Sequence, residues 1–553
     1  MYNEALDPTA RSSYNARRLL GLLLAAYLVL AVFSAWTLVN HDYETEYLAL
    51  GNLVVRGELS LYADEMRGHW PPIPFYFYGA PQALLGPGFL LGRLQSVALG
   101  ALVLILVWAL ATRLAGPLAG ATAAALFCSH GFVLGYFATV HFAGLVAVLH
   151  LLGLYVLLGT EWPRRHLVAM AIFGVLFFVK NNFWPTIPFM LLVLFFARRR
   201  PLGERVALVA IAVAIPVAFF AWDPRHLKML AYVPGLQAWV EPLGYRPWYM
   251  LTEDAGEMAA RSEYADIPWQ FSFTGRLRGI AGGVLFLTRR YAAWMAVLVL
   301  VIAVAAWRSR DWRAALRLWS PPGVALTFWL FWFLTACQFV VLGPYAKQAV
   351  GFVGAIAPLL AVAIGCLVAV VVTRFVTSRN ARPALLALVA VVVLASPWLH
   401  RQHNLPRRIA LAETPVATLP KIAARLAARL PAGETRIFYL ADPMPLHLAG
   451  RRSYLQQFNQ ERWGFTSLRD PERYRRVGMW GPAELEAWLG SDARFAVLES
   501  DTVQFYRSRR PYREVMARMD ALIAQHFAPV ETLEPRPGDR FTVYRRQDGA
   551  PAR

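Results

Sequence analysis

The sequence predicts a polytopic α-helical membrane protein with a small α/β domain at its C-terminal end. Three observations predict this class. Of the 553 residues, 57% are hydrophobic and only 16% are charged, and the mean hydropathy of +0.41 is too high for a soluble chain of this length. About eleven apolar runs have the length that crosses a bilayer. From about residue 400 these runs give way to short apolar stretches between polar segments.

The predicted transmembrane domain covers residues 17–399, after a polar tail at 1–16. Its spans are 19–39, 94–114, 117–136, 140–159, 166–181, 183–197, 206–222, 291–307, 323–342, 349–373 and 383–399. Two long segments, 40–92 and 223–290, separate spans. The second is rich in Trp, Tyr and Pro, and a loop of this length is typically functional.

Arginine residues predict the orientation of the chain. They concentrate in alternate short loops, which the positive-inside rule assigns to the cytoplasm together with the N-terminus. The loops 40–92 and 223–290 and the domain 400–553 then face outward. Because most basic residues of the membrane half lie in these short loops, where they set the topology, the net charge of +20 does not indicate a nucleic-acid partner. The Ala, Leu and Arg bias is typical of a GC-rich bacterium, which predicts the inner membrane.

The C-terminal domain is predicted to contain three buried strands and three helices. The strands are Ile437–Leu440, Phe495–Leu498 and Phe541–Tyr544, and the helices are 417–430, 482–489 and 511–526. This domain contains no nucleotide-binding glycine loop, no nucleophile elbow and no Cys or His spacing typical of zinc.

An acidic segment follows the first span almost directly. Asp42, Glu44 and Glu46 place three carboxylates where a membrane helix leaves the bilayer. Charges at such a position are costly unless they face water, a partner or a substrate, so they indicate a functional site. The alternative interpretation is a solvated helix end.

Lysine is scarce in this arginine-rich chain, with four residues, Lys180, Lys228, Lys347 and Lys421. Lys180 and Lys347 lie at the ends of predicted membrane helices, where a point charge is expensive. Each is therefore a candidate for binding an anion, although a lysine at such a place also reaches lipid headgroups by snorkelling.

Five stretches form an ordered pattern: the acidic segment ending in Tyr47, Trp70-Pro71-Pro72-Ile73, Gly92-Arg93-Leu94, the apolar segment 173–180 ending in Lys180, and the turn 343–348. In this order they resemble the GT-C glycosyltransferases, membrane enzymes that use polyprenyl-phosphate sugars. Members include protein O-mannosyltransferases, lipid A aminoarabinose transferases and polyprenol-phosphate-mannose mannosyltransferases. The resemblance covers residues 17–200 and, more weakly, 340–373.

The acidic segment departs from the family pattern. The family has acid-acid-x-x-Tyr; aligned on Tyr47, the second acid is Glu44, but the first falls on Tyr43, with Asp42 one residue early. Either Asp42 or Glu44 is then the catalytic residue. The family often has an Asp near the start of the fourth span, where this chain has His141.

The resemblance implies an inverting transfer of a sugar from a polyprenyl-phosphate donor to a hydroxyl of a lipid, glycan or protein. Glu44 is the candidate base that would take the acceptor proton, with Asp42 as the alternative, and cations would hold the leaving phosphate. The residues implied for the phosphate are Lys347, Lys180 and Arg93, and those implied for the acceptor or sugar are Glu46, His69 and Tyr345. Asp42 and Glu46 could share a divalent cation, although nothing in the sequence demands a metal.

Two other functions share some of these features. A transporter or flippase of lipid-linked sugars would also have a basic groove, but it would show internal repeats and lack a large outer domain. A non-catalytic scaffold with a glycosyltransferase-like fold is favoured by the shifted acid pair.

Overall fold

The structure is a computed structural model. It describes residues 8–38, 42–62, 71–196, 201–222, 224–232, 242, 273–310, 322–342, 346–376, 383–391, 414–458, 465, 471–475, 479–536 and 539–547. The chain divides into two compact units, each made of several segments. The first, here called the membrane unit, contains Met1–Ala35, Leu94–Ala218 and Gly275–Leu405. The second, here called the α/β unit, contains Trp36–Arg93, Phe219–Thr274 and Pro406–Arg553.

Six helices of the described part are long and apolar enough to cross a membrane. Each matches a predicted span, because an uninterrupted apolar run of this length forms a helix whose backbone satisfies its own hydrogen bonds in lipid. The six helices are Pro8–Thr37, Phe89–Ala115, Leu202–Trp222, Ala292–Ser309, Pro322–Leu342 and Ala346–Arg374.

Other predicted spans form shorter helices, which are Pro117–Ser129, Gly131–Ala138, Ala143–Gly159, Arg165–Val175, Thr186–Phe195 and 383–391. The span predicted at 117–136 is interrupted at His130, whose backbone is extended at φ −92° and ψ 97°. Its Nε2 donates to the Arg290 carbonyl at 2.8 Å, and its Nδ1 accepts from the Val133 N–H. The side chain therefore caps the second helix and stabilises the break, which hydrophobic periodicity does not reveal.

Helix Ala346–Arg374 is the centre of the membrane unit. Its apolar stretch Phe352–Arg374 is almost entirely buried by neighbouring helices. At Gly365 the helix meets Pro117–Ser129 so closely that an added Cβ would lie 2.6 Å from the Ala119 carbonyl oxygen. Small residues allow such close helix packing, which drives association where lipid is as apolar as the side chains.

The segment 223–290, predicted as a loop, contains helical structure. Residues Pro224–Tyr232 form a 3₁₀ helix and Phe273–Arg290 form an 18-residue α-helix. The second helix exposes Leu277, Val284 and Leu285 and ends in two arginines. Its mixed composition hides it from a search for continuous apolar runs, but an exposed apolar stripe with basic residues is typical of a helix in the membrane interface.

The C-terminal part of the α/β unit is built on a four-stranded sheet. Its strands are β1 (Ile437–Leu440), β2 (Phe495–Glu499), β3 (Phe527–Arg536) and β4 (Asp539–Arg546), in the order β1-β2-β4-β3. β1 and β2 are parallel, whereas β4 is antiparallel to both of its neighbours. The three predicted strands are present. The edge strand β3 was not predicted, because Pro529, Glu531 and Glu534 break the apolar pattern that marks a buried strand.

Helices cover the sheet and close its core. They are Pro415–Arg429, Pro443–Leu448, Leu455–Phe458, Pro471–Arg475, Pro482–Ala487, Ser500–Arg507 and Arg513–His526. The core contains Phe438 from the first strand, the two indoles Trp480 and Trp488, and Leu522 from the last helix. Burial of this apolar surface accounts for the stability of the sheet.

Two helix ends meet in the α/β unit near the acidic segment. Helix Gly51–Val55 ends at Arg56, and Gly57 has a φ of +71° that allows the tight turn. Glu58 then forms an ion pair with Arg452, which follows helix Pro443–Leu448. His447 lies buried beside this pair, and burial together with the charge of Arg56 lowers the pKa of its imidazole to about 4.

We expect His447 to make the protein less stable in acid. Between the ordinary pKa of 6.5 and about 4, the unfolded chain binds a proton that the folded chain does not. Lowering the pH through this window therefore lowers the free energy of unfolding, by about 3 kcal/mol if His447 unfolds with its surroundings. The unfolding temperature measured in detergent should fall between pH 7.5 and pH 4.5 for both proteins, and it should fall less for His447→Gln than for wild type. Equal losses would show that His447 is not the group responsible.

Candidate active site

The acidic segment forms an unusual local helix. Residues Asp42–Thr45 make one α-helical turn, Glu46–Leu50 continue as a π-helical turn, and Gly51–Val55 return to α-helix. Glu44 and Glu46 are buried in this stretch. Wide π turns within a helix are frequent at functional sites, because they change the direction of the side chains that follow.

A second helix, Ile73–Leu85, packs against the acidic segment and holds it. Tyr47 meets Phe75 edge to face at 5.1 Å and stacks on Tyr78 at 6.0 Å between ring centres. At the crossing, Gly51 and Gly79 bring the two backbones into direct contact, where any side chain would collide. Pro72 directly precedes this supporting helix and Pro74 lies in its first turn, a position that suits proline.

Glu44 and Arg93 form a fully buried ion pair. Arg93 donates from Nε to Oε1 at 2.8 Å and from Nη2 to Oε2 at 2.6 Å, and its Nη1 donates to the Leu38 carbonyl at 2.9 Å. Neither side chain is exposed. A guanidinium and a carboxylate matched in this bidentate way hold each other in one geometry. The pair therefore joins the acidic segment to the start of helix Phe89–Ala115, with the Phe89 ring 4.2 Å from the guanidinium.

The structure thus brings two predicted site residues together in a way that the sequence did not suggest. Glu44, predicted as a base, and Arg93, predicted as a phosphate ligand, bind one another. Asp42 is the first residue of the helical turn and Lys347 the second residue of helix Ala346–Arg374, but their side chains lie outside the described residues, as do His69 and Tyr345 entirely.

Lys180 is buried in the membrane unit. Helix Arg165–Val175 is followed by a 3₁₀ turn, and Lys180 is extended before a second such turn, with φ −158° and ψ 116°. Its Nζ lies 4.9 Å from the centre of the Phe142 ring and 5.3 Å from that of Phe352. Aromatic faces stabilise a cation that has lost much of its water.

Arg290 is a buried cation that the sequence analysis missed. It lies 7% exposed at the end of helix Phe273–Arg290, with its guanidinium 4.4 Å from the centre of the Phe286 ring. Its charge acts on Tyr136, whose ring contacts His141. The signal available in the sequence was a pair of arginines directly before a span, which resembles an ordinary headgroup anchor.

His141 connects this region to Lys180. The His141 ring lies 3.9 Å from that of Phe142, whose face contacts the Lys180 ammonium. The Nδ1 atom of His141 accepts a hydrogen bond from the Ala143 N–H at 3.1 Å. The histidine therefore caps the start of helix Ala143–Gly159. Contacts between the rings of Tyr136, His141 and Phe142 therefore lead from the region of Arg290 to Lys180.

A divalent cation has no evident ligand set in the described part of the chain, where no three His, Cys, Asp or Glu side chains are grouped to hold a metal. The expected sharing of an ion by Asp42 and Glu46 involves a side chain outside that part.

Solved structures with the same architecture were found. ArnT from Cupriavidus metallidurans in the apo state matches with a TM-score of 0.53 and 15% sequence identity. The same protein bound to undecaprenyl phosphate matches with a TM-score of 0.52 and 16% sequence identity. Each match covers 96% of this chain and 98% of the ArnT chain. The chain shares the fold of these two structures, as the resemblance to the GT-C glycosyltransferases implied. The Archaeoglobus fulgidus oligosaccharyltransferase in complex with Zn and sulfate matches with a TM-score of 0.50 and 12% identity, over 92% of this chain and 71% of that one.

The GT-C likeness is one of fold. No protein-family model and no curated protein sequence matches the chain. The solved structures named above are at most 16% identical to it in sequence. The predicted fold class, a polytopic helical membrane protein with a small C-terminal sheet, is confirmed. Function must be argued from the site.

Proposed function

We propose that this protein is an inverting glycosyltransferase that moves a sugar from a polyprenyl-phosphate donor to a hydroxyl acceptor at the outer face of the bacterial inner membrane. The observation that carries the proposal is the acidic segment, which a buried Glu44–Arg93 pair holds rigidly within a GT-C fold. Further support comes from the ArnT structure, which has undecaprenyl phosphate bound.

Asp42 is the proposed proton acceptor, and Glu44 is the residue that positions it. Glu44 is inaccessible and both of its oxygens accept hydrogen bonds from Arg93, so it is poorly placed to receive a proton from an acceptor. Asp42 lies two residues earlier, in the same helical turn. It would take the hydroxyl proton as the acceptor oxygen bonds to the anomeric carbon. The bond from that carbon to the phosphate oxygen breaks, and the configuration inverts.

Lys180 and Arg290 are the proposed cations for the donor phosphate, together with Lys347 from helix Ala346–Arg374. The leaving polyprenyl phosphate carries more negative charge than the donor, so fixed cations in a site of low water content stabilise the transition state. Lys180 and Arg290 are buried beside aromatic rings, which supplies such surroundings. Glu46, His69 and Tyr345 remain the proposed contacts to sugar or acceptor.

A donor panel tests the proposed function. Wild-type protein in proteoliposomes should release a radiolabelled sugar from one member of a set of polyprenyl-phosphate sugars and transfer it to a component of a cell-envelope extract. A sugar that crosses the membrane still bound to its lipid would instead support a flippase. No consumption and no movement of any donor, with every envelope fraction supplied, would contradict the proposal and favour a scaffold.

Lys180→Met should weaken donor binding. Removing one of several charge contacts to a phosphate is expected to raise the donor Kd by about 10- to 100-fold, because a hydrogen bond to a charged group contributes about 1.5–3 kcal/mol. Binding of a radiolabelled polyprenyl phosphate to protein in detergent measures this directly. Lys421→Met, which replaces an exposed lysine of helix Pro415–Arg429, is the control and should bind normally. Equal binding by both variants would exclude Lys180 from the donor site.

A further inference from the structure

A large cavity lies within the α/β unit, at the beginning of helix Phe89–Ala115. Its volume is about 480 Å³, which is within the range of small-molecule sites. One wall is the segment Pro87–Leu91. The opposite wall is one face of helix Pro415–Arg429, where Pro420, Ala423, Ala424 and Ala427 present small apolar groups. An apolar wall of this kind is suited to a hydrocarbon and not to a free sugar.

The first wall is held in place independently of any occupant. Gly86, with a φ of +93°, turns the chain out of helix Ile73–Leu85. The buried Gln82 side chain then donates to the Gly88 carbonyl at 3.1 Å and accepts from the Gly88 N–H at 2.6 Å. Because both bonds fix the turn from inside, the cavity is a built feature of the unit and not a gap left by a loose loop.

The cavity is close to the buried ion pair. Phe89 lines it, and the same ring lies 4.2 Å from the guanidinium of Arg93, which binds Glu44. A molecule with its apolar part in the cavity would therefore have its head near the acidic segment. Lys180 and Arg290, the proposed donor-phosphate cations, belong to the membrane unit and line no part of this cavity.

Neighbouring side chains indicate access from lipid. Leu84 and Leu85, just before the cavity wall, are 82% and 75% exposed. Two adjacent large aliphatic side chains exposed to this extent beside a membrane helix are typical of a surface in contact with hydrocarbon. At the other end, Arg451 donates to the carbonyls of Ala427 and Ala449, two residues that line the cavity, and so fixes this part of its wall.

We propose that this cavity binds the hydrocarbon chain of a lipid-anchored acceptor, so that the sugar is transferred to a lipid and not to a soluble protein or glycan. The inference rests on the proposed function and names its acceptor class. The chain of the acceptor is favoured over that of the donor because the cavity adjoins the acidic segment, which is expected to deprotonate the acceptor.

Photocrosslinking tests the cavity without requiring catalysis. The probe is a phospholipid with a diazirine in the acyl chain, reconstituted with the full-length protein, and labelled peptides are identified by mass spectrometry. We expect adducts on the segments 87–91 and 420–427. Ala424→Trp should reduce them at least about fivefold by filling the cavity. Ala428→Trp is the matched control, since Ala428 is exposed on the same helix but does not line the cavity.

Three outcomes would overturn the proposal. Equal labelling of the two tryptophan variants would show that lipid does not enter the cavity. Ala424→Leu, a smaller change, gives the same comparison if Ala424→Trp fails to fold. Loss of label on addition of excess undecaprenyl phosphate would assign the cavity to the donor chain. Labelling confined to lipid-exposed helices such as Leu202–Trp222 would show contact with surrounding lipid only.

Transfer kinetics separate this proposal from the function on which it rests. Ala424→Trp should raise KM for a lipid acceptor about tenfold, the effect of losing the burial of about two methylene groups, and leave the donor KM unchanged. Efficient transfer to water-soluble acceptors by both proteins would overturn the lipid acceptor and leave the glycosyltransferase intact. Absence of all transfer, with normal labelling of the cavity, would contradict the proposed function and not the lipid site.

Discussion

Replacing Asp42 by Asn should lower the rate of sugar transfer by about 10²- to 10⁴-fold, the usual contribution of general base catalysis. Asn keeps the size of Asp42 and the helical turn but cannot accept the proton of the attacking hydroxyl. Donor binding should be unchanged, because the proposed phosphate cations are on other segments. Single-turnover transfer measured beside equilibrium donor binding separates the two effects.

Two comparisons make this result specific. Glu58→Gln removes a carboxylate from the same unit that is paired with Arg452, and it should transfer normally. Glu44→Gln should lose transfer together with stability, because it disturbs the position of the segment. If Asp42→Asn transfers at the wild-type rate and Glu44→Gln is inactive but fully stable, Glu44 is the base and its pairing with Arg93 must open during the reaction.

Breaking the Glu44–Arg93 pair should give the largest loss of stability. Arg93→Met leaves a carboxylate without its partner in a site that no water reaches. Removal of one member of a buried pair typically costs about 3–5 kcal/mol, because the other charge remains buried and uncompensated. The double variant Glu44→Leu/Arg93→Met should recover much of this loss, since no charge is left. It should still fail to transfer sugar, because the acidic segment is no longer tied to helix Phe89–Ala115.

Helix Phe89–Ala115 also supplies a control for the comparison of Arg93→Met with the double variant. Arg113, in its last turn, pairs with Glu161 at 3.0 Å, but the two side chains are 52% and 86% exposed. Arg113→Met should therefore change the unfolding midpoint very little. Unfolding of each variant in detergent, followed by tryptophan fluorescence, provides the comparison. A double variant as unstable as Arg93→Met would contradict the explanation by an unpaired charge and point to lost packing around Phe89.

Much of the fold could be predicted because it depends on local properties of the chain. The length of an apolar run decides whether a helix can cross a membrane, and short β-branched and aromatic stretches decide where β1, β2 and β4 form. The acidic segment could be identified for a similar reason, since charges beside a membrane helix are costly wherever they occur. The shifted spacing of Asp42 and Glu44 was also visible in the sequence.

The sequence by itself thus determined the membrane class, the α/β domain and the segment in which the chemistry is proposed. Only the tertiary structure decided that Glu44 binds Arg93, 49 residues further along the chain, that Arg290 is buried, and that Pro87–Leu91 faces helix Pro415–Arg429 across a cavity. The physical reason is that propensity and hydropathy act over a few residues. The partner of a buried charge and the shape of a cavity depend on how distant helices pack, which no local pattern contains.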